Sequence, residues 1–231
     1  MKVTGLVCVA LVGILSKPVY PQTQKEKIER DYVPVTQAML NDPDPSDWLM
    51  WRRTYEGWGY SPLDQIDQNN VHTLQLAWSY ALDPYGGGSQ TEPIVHDGVL
   101  YLRHPSELLA AHDAASGDLL WEYRRNLPED IAELRGITLH RGRGLAIDGD
   151  RIFNFSTDGF LYAVDAKTGK LIWEIQMFDY RDTRHQASGA PTVFGGVVVV
   201  PLNCSNGAAL PTCHLSAYDT QSGQRRWRWY T

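Results

Sequence analysis

The side chains best suited to metal or haem chemistry are scattered along this sequence. No two of its seven histidines have the i, i+2 or i, i+4 spacing within one predicted element that would place two imidazoles on one metal ion. The sequence also lacks a C-x-x-C-H motif for covalent haem attachment. We therefore predict no zinc site and no covalently bound c-type haem in this chain.

The cysteines offer a disulfide instead. Cys8 lies in an apolar N-terminal stretch that resembles a secretion signal. Cleavage of that signal would remove Cys8 and leave two cysteines, Cys204 and Cys213, at the ends of CSNGAALPTC. An exported protein reaches an oxidising compartment, and the Gly- and Pro-containing loop can bring its ends together. We predict a disulfide between Cys204 and Cys213, with two buried thiols that never pair as the alternative.

Composition excludes several classes of function. The chain has 231 residues, of which 43% are hydrophobic and 21% charged, a balance that excludes a disordered chain. Its net charge of −6 gives no overall electrostatic attraction to nucleic acids or anionic lipids, so we predict neither as a partner. No apolar run reaches the roughly 20 residues of a membrane-spanning helix.

The N-terminal part divides into two segments. Residues 1–22 begin with Lys2 and an apolar run, which predicts a signal peptide and export to the periplasm, with membrane association left open. A buried N-terminal strand or helix is the alternative. Residues 23–47 are polar and contain several prolines, so we predict an N-terminal arm on the outside of a larger unit, with a short helix at VTQAML.

The rest of the chain repeats itself. Residues 111–121, 163–173 and 217–227 all fit A-x-D-x-x-[ST]-G-x-x-x-W, with their aspartates 52 and 54 residues apart. Repeats of roughly 40–50 residues are typical of β-propeller blades. We therefore predict an all-β protein with blades of four short strands.

Local sequence supports this prediction. Alternating apolar runs precede each motif, at 98–102, 151–155 and 196–200, and they predict strands. Within the motif, aspartate and glycine are typical of a tight turn between strands. The repeats cover about 90–124, 137–178 and 187–231, and Trp78 indicates one further outer strand.

The blade count predicts an incomplete propeller. Propellers close with roughly 4–8 blades, whereas residues 48–231 supply about three. Open blade edges expose unpaired backbone groups. We expect either the front part of a longer propeller or closure by assembly of several copies, a homo-oligomer.

Residues 47–80, the Trp-rich segment, read DWLMWRRTYEGWGYSPLDQIDQNNVHTLQLAWSY. Its Y-S-P-L-x-Q-I and N-V-x-x-L-x-x-A-W-S stretches, followed by the blade repeats, resemble the N-terminal part of the pyrroloquinoline quinone (PQQ)-dependent alcohol dehydrogenases. The resemblance implies an eight-bladed periplasmic propeller that holds PQQ with a calcium or lanthanide ion. It also implies oxidation of an alcohol and transfer of electrons to a cytochrome c.

The resemblance implies cofactor-binding roles for three residues. Arg143, in RGRGLA, corresponds to an arginine that touches the quinone; a surface arginine is the simpler alternative. Thr157, in TDG, corresponds to a threonine that holds a cofactor carboxylate. Ser188, in ASGAP, corresponds to a serine at the cofactor. The alternative for Thr157 is an ordinary strand hydroxyl with no cofactor contact, and the alternative for Ser188 is an ordinary turn serine.

Other family positions depart from the pattern. A pocket glutamate of the family falls on Gln90 when Pro93 is aligned, and Glu92 follows two residues later, so either could be the pocket residue. Ala209 stands where the family has a metal-binding glutamate, so we assign no metal ligand. The family's catalytic aspartate lies further along than Thr231, so we assign no catalytic residue.

These observations favour an oxidoreductase. We expect the N-terminal portion of a PQQ-dependent alcohol dehydrogenase that is inactive as this chain alone. The alternative is a non-catalytic propeller scaffold that binds proteins, like the outer-membrane assembly propellers that share the blade motif.

Overall fold

The computed structural model describes residues 24–82, 90–135, 142–181, 189–202 and 213–230. Its helices are short. The α-helices are α1 (Gln24–Asp31), α2 (Gln37–Asn41) and α3 (Ile131–Arg135), and single 3-10 turns cover Val71–Thr73 and Pro105–Glu107. Helix α2 confirms the short helix predicted at VTQAML; the hydroxyl of Thr36 caps it by accepting the Met39 N–H at 3.3 Å. No helix within the described ranges is long and apolar enough to cross a membrane.

In the described part of the chain, twelve strands form three separate four-stranded sheets. Blade 1 consists of β1 (Ile94–His96), β2 (Val99–His104), β3 (Leu108–Asp113) and β4 (Leu119–Arg124). Blade 2 consists of β5 (Ala146–Asp148), β6 (Arg151–Phe155), β7 (Phe160–Asp165) and β8 (Leu171–Gln176). Blade 3 consists of β9 (Thr192–Phe194), β10 (Val197–Leu202), β11 (His214–Asp219) and β12 (Arg225–Tyr230).

Within each blade the strands follow chain order and pair antiparallel. This meander confirms the all-β prediction of about three four-stranded blades. The three predicted apolar runs fall on the second strand of each blade, β2, β6 and β10.

The repeated Asp and Gly build the turn between the third and fourth strands. In blade 1, Oδ1 of Asp113 accepts the backbone N–H groups of Ala115 and Ser116 at 2.8 and 2.9 Å. Gly117 then adopts a φ of +80°, a left-handed conformation that glycine reaches at little cost. Equivalent turns in blades 2 and 3 confirm the predicted role of this motif.

The repeated Trp joins each blade to the next. The indole of Trp121 in blade 1 lies against Gly169 of the blade 2 turn and donates from Nε1 to the carbonyl oxygen of Ala166 at 2.9 Å. Trp173 of blade 2 donates in the same way to Thr220 of blade 3 at 3.2 Å. The motif therefore encodes both a turn within a blade and a contact between blades.

Trp78 makes the same contact without the strand predicted for it. Its Nε1 donates to the carbonyl oxygen of Ala114 at 3.1 Å, and its ring covers Gly117. Residues 74–82 nevertheless form no strand, so that prediction is wrong. A strand requires a hydrogen-bonding neighbour, and none of the three described sheets pairs with this segment. The contact of the indole is retained because it depends only on blade 1.

Residues 24–47 of the N-terminal arm lie across all three blades. Lys27 of α1 pairs with Asp97 in the β1–β2 turn at 2.5 Å. Val35 and Gly149, in the corresponding turn of blade 2, exchange two backbone hydrogen bonds of 2.8 Å. The side chain of Gln37 accepts a backbone N–H from the β9–β10 turn of blade 3. The described arm thus connects the first turn of each blade, while the predicted signal peptide, residues 1–22, lies outside the described residues.

Candidate functional site

The segments that precede the first strand of each blade lie side by side. The backbone N–H of Glu92 donates to the carbonyl oxygen of Arg143 at 3.3 Å, and Arg143 N–H donates to Gly189 at 3.5 Å. The hydroxyl of Thr91 also donates to the Gly142 carbonyl at 3.1 Å. Residues 90–92, 142–144 and 189–190 therefore bring three blades together at one place, and this is where the sequence predicted a cofactor.

Arg143 and Gln90 meet at this junction. The Nε of Arg143 donates to Oε1 of Gln90 at 3.2 Å, and both side chains are exposed. The remaining guanidinium N–H groups are suited to carboxylate or quinone oxygens, which a planar fork of donors can bind in pairs. The Gln90 amide adds a further donor. The pair thus forms a polar, cationic corner at the meeting point of blades 1 and 2.

Glu92 is directed elsewhere. Its Oε1 accepts the indole N–H of Trp48 at 2.8 Å and the backbone N–H of Arg52 at 2.9 Å. These two contacts attach the Trp-rich segment to blade 1. Of the two candidates for the pocket position, Gln90 is the one that the structure brings to Arg143.

Thr157 lies in the β6–β7 turn of blade 2 and contacts a carboxylate of blade 1. Its hydroxyl donates to Oε1 of Glu107 at 2.6 Å, and its backbone N–H donates to the same atom at 3.1 Å. Glu107 is fully buried and forms an ion pair with Arg103 at 2.9 Å. Sequence reasoning missed Arg103 and Glu107, although two charges four residues apart in an apolar stretch, LYLRHPSELLAA, were a usable signal.

The Thr157 turn is held by a second ion pair. Arg125 follows β4 and donates from Nε and Nη2 to the carboxylate of Asp158, at 2.9 to 3.1 Å. It also contacts Glu174 and lies 4.3 Å from the centre of the Phe160 ring. Burial lowers the pKa of Arg125, but hydrogen bonds and charge from Asp158 and Glu174 outweigh it and raise that pKa overall. Arg125 therefore stays charged and fixes the turn that carries Thr157.

Three positions singled out from the sequence cannot be placed. Ser188 lies outside the described residues, so the structure brings together only Arg143 and Gln90 and places Thr157 at the adjoining pair. Cys213 is disulfide-bonded, and its predicted partner Cys204 lies outside the described residues, so the pairing stays a prediction. Ala209 lies outside them too. In the part of the chain that the structure describes, no group of three His, Cys, Asp or Glu residues could hold a metal ion.

Three four-stranded antiparallel blades joined by repeated Trp contacts define a β-propeller of the quinoprotein type. The family model described as "PQQ: Glucose/ethanol/alcohol dehydrogenase, beta-propeller domain" matches residues 48–231. The chain belongs to this family.

Curated relatives carry quinone-dependent names. The chain is 40% identical over 190 residues to quinohemoprotein alcohol dehydrogenase ADH IIB of Pseudomonas putida, covering 80% of this chain and 26% of that protein. It is 38% identical over 198 residues to the dehydrogenase subunit of the quinone alcohol dehydrogenase of Gluconobacter oxydans, covering 83% and 25%. The chain thus spans about a quarter of the length of these relatives.

Solved structures agree with this assignment. The quinohemoprotein alcohol dehydrogenase of Comamonas testosteroni superposes with a TM-score of 0.73 at 30% identity, over 84% of this chain and 28% of that one. A europium-containing methanol dehydrogenase superposes with a TM-score of 0.73 at 28% identity, over 84% and 33%. The predicted family is therefore confirmed by sequence and by fold.

Proposed function

We propose that this chain forms the first blades of a PQQ-dependent alcohol dehydrogenase, an oxidoreductase that oxidises an alcohol. The observation that carries the proposal is the Arg143–Gln90 pair, with Nε and Oε1 3.2 Å apart, at the junction of aligned inner segments. Membership of the PQQ propeller family and relatives named as quinone-dependent alcohol dehydrogenases support it.

The donor set of this junction fits PQQ, a flat quinone that carries three carboxylates. The exposed guanidinium of Arg143 provides paired donors for quinone or carboxylate oxygens and favours a reduced, anionic ligand. Gln90 orients that guanidinium through its amide oxygen. Thr157 and the predicted Ser188 complete the proposed set of contacts. When bound, PQQ supplies the redox chemistry by accepting the two electrons lost by the alcohol.

We propose a metal ion for the complete site but assign it no ligand among the described residues. One structural neighbour is a europium-containing methanol dehydrogenase, which agrees with a calcium or lanthanide ion in the proposed complete site. Hard cations of this kind bind several oxygen ligands, and the described part of this chain contains no group of three candidate ligands. We therefore assign no residue of the described ranges to a metal.

Electron transfer and location complete the proposal. We infer that a cytochrome c receives the electrons, because relatives are named quinohemoproteins and a haem group can accept electrons from a reduced quinone. The predicted signal peptide at residues 1–22 supports a proposed periplasmic location, with membrane association open. We also propose that the 231-residue chain alone does not oxidise alcohols, because the family's catalytic aspartate has no counterpart among its residues.

The test is equilibrium dialysis of PQQ against the purified 231-residue chain. We expect wild-type chain to bind PQQ and Arg143→Ala to weaken binding at least tenfold. Arg225→Ala is the matched control because Arg225 is an exposed arginine on β12, the outer strand of blade 3. It should bind PQQ as the wild type does. Absence of PQQ binding, or an equal loss in both variants, would contradict the proposal and favour the protein-binding scaffold.

A further inference from the structure

A buried ion pair adjoins the proposed cofactor site. Arg103 is the next-to-last residue of strand β2 and is 2% exposed, while Glu107 is the last residue of the following 3-10 turn and is 0% exposed. Nη2 of Arg103 donates to Oε1 of Glu107 at 2.9 Å. Burying two charges removes both from water, and such pairs are often no more stable than apolar side chains of the same size. Stability alone is therefore a weak reason for this pair.

The pair also carries local strain and unsatisfied polar atoms. Glu107 has a φ of +58°, a left-handed conformation that a residue with a Cβ rarely adopts. Nε and Nη1 of Arg103 and Oε2 of Glu107 are buried without a hydrogen-bond partner among the described residues. Strained backbone and unsatisfied buried polar groups cluster at functional sites more than elsewhere in proteins.

Glu107 holds one proposed cofactor contact. Its Oε1 accepts both the backbone N–H and the hydroxyl of Thr157, from the neighbouring blade. Two hydrogen bonds to a single carboxylate oxygen fix the position of the Thr157 backbone and the direction of its hydroxyl. Because Glu107 is buried, this arrangement is shielded from competing water.

Arg103 lies against the segment that carries the other contact. A Cβ built on Gly142 would come within 1.7 Å of Nη1 of Arg103, so the guanidinium packs directly on the backbone before Arg143. The Gly142 carbonyl is held from the other side by the Thr91 hydroxyl. The guanidinium therefore bounds the 142–144 segment while its Nη2 binds Glu107.

We propose that Arg103 and Glu107 are positioning residues that fix Thr157 and the Gly142–Arg143 backbone relative to each other in the ligand site. The identity of the ligand as PQQ rests on the proposed function. Arg103 also neutralises the charge of Glu107, whose carboxylate beside Thr157 would otherwise repel an anionic ligand.

The first test needs no ligand. Amide hydrogen exchange of the 231-residue chain is measured by NMR for wild type, Glu107→Ala, Glu107→Gln and Val198→Ala. We expect Glu107→Ala to accelerate amide exchange at Thr157, Arg143 and Glu92 at least tenfold more than it accelerates exchange at other amides. Glu107→Gln should restore part of the protection at Thr157, because its amide oxygen can still accept.

Val198→Ala is the matched control, because it removes buried apolar volume in blade 3 without touching the pair. It should accelerate exchange throughout without singling out those three amides. If Glu107→Ala shows this same uniform pattern, or leaves the three amides unchanged, the positioning role is overturned. If Glu107→Ala does not fold, Arg103→Lys gives the same comparison, with expected acceleration at Arg143 and Glu92.

The second test adds PQQ by equilibrium dialysis. We expect Glu107→Ala and Arg103→Met to weaken PQQ binding at least tenfold, while Val198→Ala binds as wild type does. If the wild-type chain binds no PQQ but the exchange pattern appears, the proposed cofactor fails and the positioning role stands. If PQQ binds equally well to all variants, the positioning role for this ligand is overturned and the proposed function stands.

Discussion

The indole of Trp121 lies so close to Gly169 of the next blade that a Cβ at Gly169 would come within 2.5 Å of its Cε3 atom. Gly169 also has a φ of +70°, and the Trp121 Nε1 donates to a carbonyl of the same turn. Blade 1 and blade 2 are thus joined by one large apolar ring on a glycine that leaves room for it.

We therefore expect Trp121→Ala to lower the free energy of unfolding by about 3–5 kcal/mol, the usual loss for a buried aromatic ring. Trp227→Ala is the matched control. It occupies the same motif position in blade 3 but is 45% exposed, so its loss should be much smaller. Urea unfolding followed by circular dichroism measures both. Equal losses would contradict the view that the motif acts between blades.

The Arg125–Asp158 pair gives a second prediction. The Arg125 side chain is 11% exposed and that of Asp158 is 4% exposed, so removal of one partner leaves a buried charge. We expect Arg125→Ala to lower the free energy of unfolding by about 3 kcal/mol.

Arg226→Ala is the control for this prediction, because Arg226 pairs with Asp219 at a position 60% exposed. Its melting temperature should stay close to that of the wild type, since exposed ion pairs contribute little. Thermal unfolding measures the two variants side by side. A melting temperature of Arg125→Ala equal to that of Arg226→Ala would show that the Asp158 turn does not depend on this pair.

The features that could be predicted from the sequence are those whose interactions join residues close together in the chain. The Asp–Gly turns and the strands beside them are encoded within a few residues, so the three blades were predictable. The strand predicted at Trp78 failed because a strand depends on a neighbour elsewhere in the chain. Spacing alone could not decide whether Gln90 or Glu92 is the pocket residue, because residues two apart in an extended chain share a face. The contact with Arg143 in the folded protein distinguishes them.

The Arg103–Glu107 pair was missed for the same reason. Its contact with Thr157 joins residues 50 apart in sequence, and its contact with Gly142 joins neighbouring blades. Periodicity and motif spacing describe one element at a time, so they do not show which residues of other blades such a pair contacts. A charged pair inside an apolar run indicates only that some partner must exist.

His96 connects the N-terminal arm to blade 1 and should make stability depend on pH. Its Nδ1 lies 2.8 Å from Oδ2 of Asp47, and its Nε2 lies 2.8 Å from the carbonyl oxygen of Val33. Both neighbours are acceptors, so both ring nitrogens donate only when the imidazole is protonated.

Burial lowers the pKa of His96, but its hydrogen bonds to Asp47 and Val33 and the charges of Asp47 and Asp97 outweigh burial and raise that pKa overall. A raised folded-state pKa stabilises the fold below the unfolded value of about 6.5, and this contribution is lost as pH rises through the folded-state pKa. The ring of Tyr32 packs edge-on against the imidazole, and Lys27 pairs with Asp97.

We therefore expect the free energy of unfolding of wild type to fall, relative to His96→Gln, as pH rises above the unfolded pKa of about 6.5. Urea unfolding at a series of pH values measures this difference. His72→Gln is the control, because His72 is an exposed histidine of the Trp-rich segment. A wild-type pH profile parallel to that of His96→Gln would show that folding does not raise the pKa of His96.

Hydrogen exchange measured with and without PQQ locates the cofactor on the chain directly. We expect slower exchange on PQQ addition in peptides covering 90–92, 142–144, Thr157 and Ser188, with no change in β12. Arg143→Ala should abolish this protection. Protection in β12, or in the Trp-rich segment alone, would contradict the proposed site; so would exchange that PQQ leaves unchanged throughout.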